Sequence, residues 1–291
     1  MSKDGHSGAP LSRHAYSGWW AVAVSAVGLS VSIGTVVVYS FGVFLKPLSQ
    51  EFSWSRSRVS LAISLMNLMV TIGSPSVGRL ADLFGSRSVI IPSIVSLAAV
   101  LASFYFLGPH LWLLYILYSF AGLVGLGATP LTYSRIVATW FDQERGFALG
   151  LTTSGIGIGA FIMPSLAQWI ILRVGWRWAY VALALIVLLV PLPLVALFLR
   201  EAPRKRNLPP KEDDPETSFE PPNLGRSEAV RTRVFWQMLI QFFLISACIN
   251  GTVAHFSALL TDRAVPAQAA AFAIHCLVGL LLPGGLSPAT L

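Results

Sequence analysis

Charged residues are spaced along this chain so that long stretches contain none. Charge-free runs of about 20 residues or more fall at 14–45, 59–78, 88–134, 146–172, 178–199, 234–261 and 264–291. A helix needs about 20 mostly apolar residues to cross roughly 30 Å of hydrocarbon, so every run is long enough to span a bilayer. The third run, 47 residues long, holds two spans parted by a turn at Gly108-Pro109-His110. The pattern therefore predicts eight membrane-spanning helices and an all-α, polytopic membrane protein. No run alternates apolar and polar with period two, which excludes barrel strands.

Tryptophan marks the same boundaries independently, because its ring is sheltered at the membrane–water interface while the indole N–H stays wet. Trp19, Trp20, Trp54, Trp112, Trp140, Trp169, Trp176, Trp178 and Trp236 all lie at or just beyond expected span ends. The first run is too long for the apolar core of a cleaved signal peptide and reads as a retained first helix.

Composition narrows the function. Of 291 residues, 55% are hydrophobic and 11% charged, far below the charge that covers a soluble domain. This excludes a soluble enzyme, a nucleic-acid binder and a disordered chain. The net charge of +7 has a topological reading instead. With eight spans, the N-terminus and the 2–3, 4–5 and 6–7 loops share one side, which carries 14 of the 20 Lys and Arg residues. That excess places the N-terminus in the cytosol of a cell (inner or plasma) membrane. Without the 6–7 loop the two sides carry equal numbers, so the 6–7 loop decides the orientation. Cys248 and Cys276 sit in apolar runs and read as small buried hydrophobes. No nucleophile–base pair, metal cluster or phosphate loop is present in the sequence, so neither catalysis nor a cofactor is expected.

Residues 200–233 are the one long hydrophilic stretch, with eight basic and seven acidic residues and six prolines. Such a segment cannot bury enough apolar surface to fold and reads as a flexible cytosolic linker. The expected organisation is a cytosolic tail (1–17), a six-helix bundle (18–199), the linker (200–233) and a partial second bundle of about two helices (234–291). A faint echo between Phe41–Leu45 closing helix 1 and Phe256–Leu260 closing helix 7 suggests a parallel repeat.

The segment Gly78-Arg79-Leu80-Ala81-Asp82-Leu83-Phe84-Gly85-Ser86-Arg87 follows helix 2. Gly78 suits a closely packed helix end, Asp82 offers a carboxylate there, Gly85 permits a tight turn and Arg87 supplies a cation. This spacing resembles the loop 2–3 signature of the major facilitator superfamily, with Leu83 and Ser86 where a basic residue is usual. Gly18-Trp19, the exit Ser40–Phe52 and Trp54-Ser55-Arg56 resemble the monocarboxylate-transporter branch and its bacterial relatives; the likeness runs from residue 17 to about 274. In animal members of that branch a helix 1 lysine is tied to proton and carboxylate binding, and Tyr39 stands at the matching position. Helix 5 carries Gly146, Gly150, Gly155, Gly157 and Gly159, partly like the superfamily's antiporter motif, although Ala160 replaces its proline. A stripe of Gly146, Gly150, Gly155 and Gly159 for helix packing is the simpler expectation.

Polar groups within spans are the remaining candidates, because they are costly in hydrocarbon. Thr35, Tyr39, Asn67, Tyr133, Asn250 and His255 are candidate substrate-pathway residues. Asn67 lies closest to mid-membrane, where contact with a substrate carboxylate and interhelical hydrogen bonding are alternatives. Gly78, Asp82, Gly85, Arg87 and Arg135 form the expected cytosolic gate, with Arg135 pairing with Asp82.

The resemblance implies secondary transport of a small organic anion, a carboxylate, by alternating access, with a coupling proton or a second anion as the co-substrate. The partners are then the bilayer and that anion. A full superfamily member has twelve spans, so a C-terminally truncated, transport-incompetent fragment is the leading alternative expectation. A ten-helix metabolite exporter and a non-transporting membrane scaffold are further alternatives.

Overall fold

The computed structural model describes residues 13–141, 144–199, 231–241 and 244, with side chains from Gly18 onward. The chain divides into two compact units, Met1–Arg204 and Lys205–Leu291. In the second unit the described residues are largely helical over 233–241. The rest of expected helix 7 and all of helix 8, with Asn250, His255 and both cysteines, lie outside the described residues.

Among its described residues the first unit contains six helices long and apolar enough to cross a membrane: span 1 (Gly18–Glu51), span 2 (Arg56–Phe84), span 3 (Ser86–Phe106), span 4 (Leu111–Trp140), span 5 (Arg145–Val174) and span 6 (Trp176–Phe198). Helix and turn account for the described residues, with no strand among them. The chain is an all-α, integral membrane protein. Two expected boundaries move. The helix that opens span 1 starts at Arg13, inside the expected tail. Span 2 runs to Phe84, so the Gly78–Phe84 stretch is its last turns and not a loop. Gly85 ends it at φ +83° and Gly175 ends span 5 at φ +91°, left-handed conformations that a residue with a Cβ rarely adopts.

Span 2 packs mainly on span 4, span 1 on span 5, and span 3 on spans 4 and 6 alike, while span 1 also touches spans 4 and 6. Glycines permit the closest approaches. A Cβ at Gly122 would meet the Met66 backbone, and one at Gly155 or Gly159 would collide with the carbonyl of Ala26 or Ser30. Among the described residues nothing lies within 4 Å of a Cβ at Gly146, Gly150 or Gly157. The expected four-glycine stripe is therefore corrected to two opposite faces. From Gly150 to Gly155 is five residues, a rotation of about 140° away from the stripe. Gly155 and Gly159 share the buried face with Ala148, Thr152 and Met163.

Both ends of the bundle are tied across spans. At one end Trp19 meets Phe141 and Phe147 edge-on, and Trp20 stacks on Phe198. At the other, Glu51 accepts hydrogen bonds from the Trp176 indole and from Arg177, the latter at 2.5 Å. Arg177 also donates to the Leu107 carbonyl at 3.3 Å and lies over the Trp176 ring. Beneath this tie is an aromatic core: Phe44 and Phe104 stack on Tyr180 at 4.1 and 4.3 Å, and the Tyr118 and Tyr180 hydroxyls bond at 2.8 Å.

The two glycine faces of span 5 are separable by mutation. Gly159→Val is expected to cost about 1–3 kcal/mol or more through overpacking against span 1. Gly150→Val should stay within about 0.5 kcal/mol. Thermal melting of the purified protein in detergent checks both.

Candidate functional site: two broken spans and a polar face

Spans 1 and 4 are interrupted at their middles, and span 6 changes helix at Val190, between Trp176–Leu189 and Pro191–Phe198. Span 1 is helical over Arg13–Ser30, a single π turn over Gly34–Val38, then helical again over Phe41–Glu51. Span 4 is helical over Leu111–Val124, tightens to 3-10 over Gly125–Ala128, and restarts at Pro130–Trp140. Thr129 is extended, as a residue before proline prefers, and Pro130 begins the new helix without a missing bond.

Interrupted helices free backbone groups that hydrocarbon cannot satisfy, so side chains must do it. Thr35 donates to the carbonyls of Ser32 at 2.9 Å and Leu29 at 3.4 Å, and Ser30 donates to Val27 at 2.8 Å. In span 4, Thr132 donates to the carbonyls of Gly127 at 2.6 Å and Thr129 at 2.9 Å. Ser93 of span 3 crosses to the same break, accepting from the Gly127 N–H at 2.9 Å and donating to the Val124 carbonyl. The breaks also touch each other, since a Cβ on Gly125 would meet the Ile33 side chain.

The expected pathway residues fall into two groups, Thr35 and Tyr133 buried, Tyr39 and Asn67 exposed. Thr35 is fully buried and its hydroxyl donates to the backbone at the break. Tyr133 is also fully buried, against Gly28, and its hydroxyl has no hydrogen-bond partner among the described residues. Tyr39, by contrast, is 51% exposed just after the π turn. Asn67 is exposed on span 2, one turn from Ser64 and Thr71, which are exposed as well. Thr153 and Ser154 are exposed on span 5, beside the open Gly150 and Gly157. The exposed residues in the middles of spans 3 and 6 are apolar, such as Val95, Ala99, Leu185 and Leu189. Polar exposure thus segregates onto spans 1, 2 and 5, the arrangement expected where one face meets protein or water and the other meets lipid.

The structure brings Asp82 and Arg135 together. Arg135 pairs with the Asp82 carboxylate and donates to the Gly78 carbonyl at 3.2 Å, which fastens the last turns of span 2 to span 4. Gly78 itself has open space around it, so its carbonyl and not its small size is what the contact uses. Arg87 is not part of this pair; it donates to the Ala196 carbonyl of span 6 at 2.5 Å.

The sequence signal for the missed breaks was the run Gly125-Leu126-Gly127-Ala128-Thr129-Pro130 in span 4 and the serines and threonine clustered between Ser30 and Ser40 in span 1.

Comparison with known proteins agrees with this architecture. The family described as Major Facilitator Superfamily matches residues 19–289. The chain belongs to that superfamily. Among similar proteins, monocarboxylate transporter 13 of Rattus norvegicus is 34% identical over 168 residues, covering 56% of this chain and 38% of that protein. The oxalate:formate antiporter of Oxalobacter formigenes is 26% identical over 273 residues, 92% of this chain and 62% of that protein. An uncharacterized MFS-type transporter of Bacillus subtilis is 26% identical over 270 residues. The superfamily chain described here thus spans 38% to 62% of the length of the first two relatives. The relatives are transporters and not enzymes.

Two outcomes follow from the geometry. The Asp82 and Arg135 side chains are 60% and 39% exposed, so a double-mutant cycle with Asp82→Asn and Arg135→Gln should give a coupling of only about 0.5 kcal/mol. Arg135→Gln alone should cost more than Asp82→Asn, because it also releases the Gly78 carbonyl. Tyr133→Phe removes a buried hydroxyl without a partner and should leave thermal stability equal or raised by about 1 kcal/mol.

Proposed function

We propose that the chain acts as a secondary transporter of a small organic anion, a carboxylate, by alternating access in the cell membrane with its N-terminus cytosolic. The observation that carries this reading is the polar face itself. Tyr39, Asn67, Thr153 and Ser154 lie exposed on the spans around two mid-depth breaks, while the exposed residues in the middles of spans 3 and 6 are apolar. Broken helices at mid-membrane are where transporters of several folds place their sites. The printed functions of the relatives, monocarboxylate transport and oxalate–formate antiport, favour a carboxylate as the anion. The word antiporter in one of them favours a second anion over a proton as the coupled species.

In this reading the Asp82–Arg135 pair stabilises one state of the cycle. It joins spans 2 and 4 at the end that the charge asymmetry assigns to the cytosol. Being partly exposed, it is weak enough to be made and broken in each turnover.

Proteoliposomes containing the chain provide the test. Uptake of radiolabelled oxalate or lactate should be saturable and accelerated by unlabelled anion inside. Absence of saturable uptake for both would overturn the transport reading. Asp82→Asn should change the exchange rate by about twofold, the equivalent of one partly exposed ion pair, with insertion into the membrane preserved.

A further inference from the structure

The second half of span 1, Phe41–Glu51, has two dissimilar faces. Phe41, Phe44 and Leu48 are buried against the aromatic core supplied by spans 3, 4 and 6. Tyr39, Gly42, Lys46 and Gln50, spaced three, four and four residues apart, are all exposed on one stripe. Spans 2 and 5, which carry the other exposed polar residues, contact this half-helix. The stripe therefore belongs to the polar face and starts at the mid-span break.

Lys46 is the cation on that stripe. It lies five residues before the end of span 1, about 7.5 Å inside it, and Tyr39 lies about 10.5 Å deeper. Glu51, the carboxylate on the same half-helix, is committed to Trp176 and Arg177. Among the described residues Lys46 has no ion-pair or hydrogen-bond partner. A cation set inside a span without a carboxylate beside it attracts an anion more strongly than the same group in bulk water. Its flexible stem carries three donors that suit a carboxylate.

Resting on the transport reading above, we propose that Lys46 is the residue that receives the carboxylate of the substrate on the polar face, with the Tyr39 hydroxyl as a hydrogen-bonding contact deeper toward the break. The competing arrangement is a lysine that snorkels to headgroups from a lipid-covered face.

The test uses the chain in lipid nanodiscs, open to both sides, with Cys248 and Cys276 replaced by alanine and Gly42→Cys as the reporter. A side chain at Gly42 meets nothing within 4 Å, so cysteine fits there. A water-soluble maleimide should label Gly42→Cys, and oxalate or lactate should slow the labelling. Lys46→Gln should raise the anion concentration needed for protection by about tenfold, as expected on losing a charged hydrogen bond, while Lys46→Arg retains most of it. Tyr39→Phe should weaken protection less than Lys46→Gln.

No labelling of Gly42→Cys would show a lipid-covered stripe and overturn the proposal. Labelling that neither anion slows, or protection unchanged in Lys46→Gln, would overturn it as well. Protection that depends on Lys46 in a chain that shows no uptake sinks only the transport reading. Uptake with Lys46-independent protection sinks only the lysine.

Discussion

Hydrocarbon offers no partner to a free peptide group, and the design of this bundle turns on that constraint. Spans 2, 3 and 5 meet it by staying helical from end to end or nearly so, and span 6 changes helix only at Val190, whose N–H still reaches the Ile186 carbonyl. Spans 1 and 4 do not, and each break is held by hydroxyls within reach: Thr35 and Ser30 in one, Thr132 and Ser93 in the other. Ser93 stands out because it serves a helix other than its own. It sits 31 residues before Val124, and its single oxygen both accepts from and donates to the broken turn. The span 1 break is held by its own hydroxyls, whereas the irregular backbone of span 4 is a property of two spans together.

The breaks divide the bundle by depth. On one side of them span 1 is pressed to span 5 with glycine at the contact, and Arg135 holds span 2 to span 4. On the other side, stacked aromatic rings and the Glu51 tie join spans 1, 3, 4 and 6. The first type of contact is small and adjustable in angle; the second is large, interlocked and apolar. The polar face runs along spans 1, 2 and 5 across both levels.

Most of the fold was legible in the sequence, because a charge in a membrane interior is so unfavourable that its absence alone locates a span. The turn at Gly108-Pro109-His110 and the ends at Trp140 and Trp176 were readable on the same grounds. Asp82 and Arg135 could be paired because each lies near a span end on one side. The breaks were harder to read: a serine or threonine in mid-span is equally consistent with an intact helix whose hydroxyl bonds back to its own carbonyl, as Thr71 and Ser74 do. The glycines of span 5 misled for a geometric reason, since counting in fours hides the five-residue step that turns the helix over. Tyr39 and Tyr133 show the same ambiguity, with one exposed and the other enclosed by a neighbour about a hundred residues away.

Span 2 is the least apolar of the six, with mean hydropathy 1.4 against 2.9 for span 6. Its exposed Ser64, Asn67 and Thr71 make it a poor candidate to settle in lipid unaided, and its principal packing partner is span 4. During synthesis that partner emerges after span 3 has already been made. The nascent chain must therefore carry a reluctant segment through an interval before its mate arrives, and the close seat of Met66 on Gly122 is what ends that interval. Assembly of the bundle thus leans on a contact at Met66, the buried neighbour of the exposed Asn67, so that one turn of span 2 carries both the seat and the polar face.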